Sequence, residues 1–151
     1  MFRRLHYCLF LLLFFSIAPA QESRLENVLK EAKENKINPK IILEIETLVA
    51  KSNNDTLNIK AYKFLGDTYR DLEVYEKANQ LYQKSLFLAK KNRLTKKIGA
   101  RIADLAELQR LLANYEKSLQ LFTESKKYFE KANDSDGITR VNGNIAAIFI
   151  A

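Results

Sequence analysis

The sequence predicts an all-α fold: an antiparallel helix-hairpin solenoid of about seven helices. Three observations predict it. The segment Leu72-Glu73-Val74-Tyr75-Glu76-Lys77-Ala78-Asn79-Gln80-Leu81-Tyr82-Gln83-Lys84-Ser85 recurs forty residues later as Leu112-Ala113-Asn114-Tyr115-Glu116-Lys117-Ser118-Leu119-Gln120-Leu121-Phe122-Thr123-Glu124-Ser125. Such a period marks one supersecondary unit stacked on copies of itself, because a lone unit cannot bury its apolar face. Apolar residues recur at spacings of three and four, the helical period. Finally, the polar breaks are only two to four residues long, so sequential helices must lie antiparallel.

The elements follow in order. A first helix over about 22–36 places Leu25, Val28, Leu29 and Ala32 on one face. Asn38-Pro39 starts a second: Asn38 is a good N-cap, and Pro39 suits the first turn because its missing N–H has no helical partner there. This helix carries Ile41, Ile42, Ile45, Leu48 and Val49 and ends at Ser52-Asn53-Asn54. The third, 55–72, carries Ile59, Ala61, Tyr62, Leu65 and Tyr69. The fourth, 75–91, carries Ala78, Leu81, Tyr82, Ser85, Leu86 and Ala89. Segments 95–112 and 115–132 repeat this pair. A seventh helix opens at Asp134-Ser135-Asp136, whose carboxylates suit the positive end of a helix dipole.

The first twenty residues stand apart. Arg3 and Arg4 precede an apolar run from Tyr7 to Ile17, broken only by Ser16, and Ala18-Pro19-Ala20 follows. That is the layout of a secretory signal peptide, cleaved near Ala20-Gln21, so the chain is expected to be exported, periplasmic or secreted. The run of about 11 residues is short of the roughly 20 that span a membrane; retention as an uncleaved anchor is the alternative. Cys8 sits inside the run, not after the cleavage point, which argues against a lipoprotein. Cleavage would remove the sole Cys and the sole His, leaving a fold held by packing alone and no histidine-based or zinc chemistry. Without Arg3 and Arg4 the balance of 25 basic and 18 acidic residues becomes 23 against 18, or +5. A surplus of this size aids solubility and does not indicate a nucleic-acid protein.

Tyr62, Leu65-Gly66, Tyr69, Ala78 and Tyr82 fall at the spacing W-x2-L-G-x2-Y…A-x3-F, and the chain thereby resembles the tetratricopeptide repeat family. Ile102, Leu105-Ala106, Gln109, Ser118 and Phe122 repeat the spacing, and Asn142, Ile145-Ala146 and Phe149 begin a third copy. The family unit is about 34 residues, so a forty-residue period resembles its longer-helix variety. The second copy lacks the Gly and the second Tyr, neither copy has the closing Pro, and 21–54 reads as a degenerate or capping hairpin. Repeat 1 would be 55–94, repeat 2 95–134, and 135–151 the first helix of an incomplete third. The resemblance implies a right-handed superhelix. Small residues at 66, 106, 78 and 118 would let the paired helices approach closely.

The resemblance also implies that the first helix of each hairpin lines a groove for an extended peptide or partner helix. The matching positions are Lys60, Lys63, Asp67 and Arg70, then Ala100, Ala103, Glu107 and Arg110, extended by Arg140, Gly143 and Ala147. Spacings of three and four put each set on one helix face; the plainer reading is a solvated surface. One subgroup of the family clamps a carboxylate terminus with Lys, Asn and Arg. Asp67 and Asp104 stand where Asn would be expected, so no such clamp is predicted.

Lys90, Lys91, Arg93, Lys96 and Lys97 form the densest basic cluster. It suits an anionic polymer or lipid headgroups, although cations at a helix C-terminus also complement its dipole. Asp67/Asp71 and Asp104/Glu107 are one turn apart, near enough to share a proton in a buried cleft. Each has Lys or Arg at helical spacing, however, as in a surface charge lattice. Asp134-Ser135-Asp136-Gly137 lacks the further ligands and closing Glu of a calcium loop, and helix capping accounts for it. Neither a phosphate loop nor a nucleophile–base pair occurs, so no enzyme, cofactor or metal site is expected.

The last segment carries Ile138, Val141, Ile145, Ile148 and Phe149 with no covering helix after it. This predicts a further stretch of chain or self-association at Ile145, Ile148 and Phe149. Two functions are compatible: an exported protein-binding scaffold, or, from the layout's resemblance to bacterial signalling proteins, the N-terminal sensor segment of a truncated receptor of histidine kinase or regulator type.

Overall fold

The computed structural model describes residues 20–34 and 38–150. These form seven helices and no strand: α1 (20–34), α2 (Pro39–Lys51), α3 (Asp55–Asp71), α4 (Tyr75–Lys91), α5 (Thr95–Leu111), α6 (Tyr115–Lys131) and α7 (Ser135–Ile150). The boundaries of α2 to α7 lie within one residue of those expected from periodicity. The apolar leader ahead of Ala20 lies outside the described residues. The chain divides into two compact units, Met1–Ala61 and Tyr62–Ala151, with the division falling inside α3.

In the first unit, Leu25, Val28, Leu29 and Ala32 of α1 and Ile41, Ile45 and Val49 of α2 are buried, as their spacing requires. Asn38 caps α2: its Oδ1 accepts from the Ile41 N–H at 3.1 Å, with Pro39 at the first helical position. Asn54 does the same for α3, accepting from the Leu57 N–H at 3.0 Å while its Nδ2 donates to Glu22 Oε2 at 3.1 Å. Arg24 adds an ion pair to Glu44 at 2.7 Å.

The second unit is built from one device used four times. Among the described residues, Glu73, Arg93, Ala113 and Asn133, spaced twenty residues apart, are the non-glycine residues with positive φ, between 52° and 60°. Each lies just past a helix C-terminus. At the first of these turns the Val74 N–H reaches back to the Tyr69 carbonyl at 2.8 Å and the Glu73 N–H to Arg70 at 2.9 Å. The same pair of bonds recurs at Leu94/Arg93, Asn114/Ala113 and Asp134/Asn133. This is the Schellman arrangement, which satisfies carbonyls that the helix end leaves without partners. It needs a left-handed residue, a conformation in which a side chain costs about 1–2 kcal/mol. Repeating one turn at a fixed interval gives identical hairpins: α5 packs on α4 and α6, α6 on α7, and α5 also meets α7.

Between these helices, small residues set the approach distance and aromatics fill the space. Ser118 and Ser125 are fully buried on α6, and their hydroxyls donate to the Ala106 carbonyl at 2.8 Å and the Gly99 carbonyl at 2.7 Å of α5. Tyr82, Phe122 and Phe129 are the largest fully buried side chains among the described residues, each stabilising by about 1.5–3 kcal/mol through its burial. A Cβ on Gly66 would lie 2.5 Å from Tyr82 Cε1, so the aromatic on α4 dictates glycine on α3.

The apolar side of α7 is partly used. Val141 is fully buried in a cluster with Ala103, Ala106, Phe122 and Phe129, and Ile138, Ile145 and Ile148 pack partly buried against it. Of the residues expected to form an uncovered strip, Phe149 is the one left largely exposed, at 73%, beside Ile150. Val141, Ile145 and Ile148 share the face turned to α5 and α6, and Phe149 stands at its edge.

Candidate functional site

The residues expected to line a groove occupy the first helix of successive hairpins, and the structure places them unevenly. Lys60 is exposed on the part of α3 belonging to the first unit; the others lie in the second. Lys63, Asp67, Arg70, Glu107 and Arg110 are half-buried, and Ala100 is partly so. Ala103 is buried, whereas Arg140, Gly143 and Ala147 are exposed. A Cβ on Gly143 would meet nothing within 4 Å, so this stretch of α7 presents bare backbone to solvent.

On α3, one helical turn brings Lys63 to Asp67 as an ion pair, and Arg70 Nη1 lies 3.7 Å from the same carboxylate. The buried Tyr82 of α4 donates its hydroxyl to Asp67 Oδ1 at 2.8 Å. Lys77 adds a hydrogen bond to the Tyr69 hydroxyl at 2.7 Å and lies over the Tyr69 ring, while Tyr62 is half-buried under Lys84. The packing positions Leu65, Gly66, Ala78, Leu105 and Ala106 are all buried.

On α5 the structure supplies a residue that sequence reasoning missed. Arg101 Nη2 pairs with Asp104 Oδ2 at 2.7 Å, with the arginine side chain only 7% exposed. Arg101 Nε and Asp104 Oδ2 still lack a hydrogen bond of good geometry. The signal was present in the repeat register. Arg101 is the forty-residue counterpart of Ala61 and Val141, both fully buried, so a cation there falls on a core position. Helix-face arithmetic within α5 alone places it merely between Ala100 and Ile102.

Burial is the leading influence on both partners. It pulls the Arg101 guanidinium below its ordinary range, opposed by Asp104, Asp67 and Tyr82. It pushes the Asp104 carboxyl up, opposed by Arg101 and Lys63. Arg140 of α7 acts on both groups and stacks 5.6 Å from the Phe129 ring centroid. Charges from α3, α5 and α7 therefore form one interacting set, joined through Tyr82 to α4. The carboxylate pairs are separated by their cations: Asp71 goes to Arg70 at 2.8 Å and Glu107 to Arg110 at 2.6 Å. Among the described residues no group of three or more His, Cys, Asp and Glu side chains could hold a metal ion.

Tyr82 makes the electrostatics measurable. Burial first, and then the negative Asp67, push its hydroxyl well above the ordinary tyrosine value. The unfolded chain loses this proton near pH 10, while the folded chain keeps it. The stability this contributes is complete below about pH 10 and is lost as pH rises beyond it. The urea midpoint should therefore fall between about pH 9 and about pH 11 more steeply in the wild type than in Tyr82→Phe. Equal slopes would contradict a proton held between Tyr82 and Asp67.

Among the described residues no helix is long and apolar enough to cross a membrane. Neither a family model nor a curated protein matches the chain. Among solved structures it is similar to the crystal structure of BtubC (BKLC) from P. vanneervenii, with a TM-score of 0.60 and 17% identity. That likeness covers 89% of this chain and 65% of the other, so the chain spans just under two thirds of that protein's length. At this identity the likeness is one of fold: the chain is an all-helical, hairpin-repeat protein.

Proposed function

We propose that this chain is an exported, non-catalytic interaction scaffold of the tetratricopeptide type, holding a peptide or partner segment along the face shared by α3, α5 and α7. One observation carries the reading: paired charges lie half-buried or buried on α3 and α5, and the exposed Arg140 of α7 acts on the α5 pair. The exposed small residues Gly143 and Ala147 of α7 leave room for a backbone to approach, whereas Ala103 packs into the core. Pre-paired charges suit recognition. A ligand with alternating charges exchanges partners at such a lattice without stranding a buried ion. The carboxylates of this set are each paired with a cation, Asp67 with Lys63, Asp71 with Arg70, Asp104 with Arg101 and Glu107 with Arg110, which suits binding.

The test is a cross-linking pull-down with the exported protein and the charge reversals Lys63→Glu and Arg110→Glu. Both side chains are half-buried on the outer side of their pairs, so the fold should survive, and thermal melting verifies it. Recovery of the wild-type partner should fall at least about tenfold in each variant. Undiminished recovery by folded variants would remove the groove reading.

A further inference from the structure

We propose that the α4–α5 end of the second unit is a second docking surface, fitted to an anionic lipid surface, with Phe87 entering the headgroup region inside a ring of cations. It is independent of the α3, α5 and α7 face, because Phe87 lies on a second helix of the hairpin.

The first observation is an absence of acids. From Lys77 to Ala103 there is no Asp or Glu, while eight Lys and Arg residues occur. The chain carries 18 acidic residues in 151, so a gap of this length is not what its composition supplies. The second observation is a control within the molecule. The equivalent stretch one repeat on, 117–143, contains Glu124, Glu130, Asp134 and Asp136 against five basic residues. The two stretches share helices, turn geometry and helix dipoles. Complementing a helix C-terminus therefore does not require the acid-free version; an acid from outside the stretch, Asp134 ahead of α7, pairs with Lys96 in the first turn of α5 at 3.0 Å.

The third observation is Phe87. It is 67% exposed in the last turns of α4, on one exposed face with Lys84, Lys90 and Lys91. Its counterpart in α6 is Lys127. Arg93, held in the turn at φ 54°, and Lys97, in the first turn of α5, extend the basic rim and are also exposed. An aromatic centred among cations matches a membrane interface, where the ring reaches the acyl boundary and the cations meet anionic headgroups. A soluble polyanion uses the cations and gains little from a single protruding ring.

The experiment is sedimentation of the full chain, as recovered from the expressing cell, with two kinds of vesicle. One is equimolar phosphatidylglycerol and phosphatidylcholine; the other is phosphatidylcholine alone, which reads any contribution from the apolar leader. Binding above that baseline should appear only with the anionic vesicles and weaken with salt. The triple change K90E/K91E/R93E should lower it by about a hundredfold or more. Phe87→Ser, a change of an exposed side chain, should lower it by about fivefold. Reversals in the sister copy, Lys127→Glu and Lys131→Glu, should lower it far less. Equal partition onto both vesicle types would overturn the proposal. Anionic binding that Phe87→Ser leaves unchanged would overturn it equally, by reducing the surface to simple counterion attraction.

Discussion

Asp104→Ala should lower the unfolding free energy of this protein by about 3–5 kcal/mol. The reason is what the change leaves behind. Arg101 is 7% exposed and already has one unsatisfied nitrogen. Without its carboxylate it becomes a buried cation with no near partner on its own helix, and desolvation dominates. The companion experiment separates the pair's value from the damage of breaking it. Arg101→Met with Asp104→Leu should restore wild-type stability or exceed it, because the same register holds Ala61 and Val141 comfortably. Urea denaturation followed by circular dichroism measures both. A loss below about 1 kcal/mol for Asp104→Ala would mean that the pair is solvated. If the apolar double variant is stable yet fails to recover the groove partner, the ion pair is there for recognition.

Phe129→Ala should cost a similar amount, about 3–5 kcal/mol. The ring is fully buried where α6, α5 and α7 meet, within the cluster that includes Ala103, Ala106, Phe122 and Val141. Two further groups depend on it. Arg140 lies over its face, and Gly137 comes so close that a Cβ there would sit 2.5 Å from the Phe129 Cγ. Gly137→Ala alone should therefore destabilise by about 1–3 kcal/mol through overpacking. In the Phe129→Ala background the same change should cost almost nothing, because the atoms it would strike are gone. That non-additivity is the signature of direct contact. Additive losses would place Gly137 away from the ring.

The helices were legible because their signals are local. Spacings of three and four within α4, the Asn38-Pro39 start of α2 and the short breaks at 72–74 and 112–114 each lie within a few residues. The forty-residue echo then sets one hairpin against the next without any long-range inference. Which residues share a face on α3, α5 and α7 was readable for the same reason, since face membership is a property of one helix; that Ala103 of this set turns into the core was not. Their partners were less readable. Tyr82 reaching Asp67 and Arg101 sinking beside Asp104 depend on which helix covers which, and on how far a small residue lets two axes approach. Gly66 shows the difference well. Its place in a repeat motif was visible from spacing, but its reason is the Tyr82 ring sixteen positions away.

By itself, then, the sequence determined the helical class, the hairpin period, the helix boundaries and which faces turn inward, all consequences of periodicity and short-range capping. Only the tertiary structure decided that a cation occupies a core position on α5, that charges on three helices form one set, and that Ile145 and Ile148 are partly covered while Phe149 is not. Burial and the electrostatic partners of a charge are set by neighbouring helices. No pattern within a single helix carries that information.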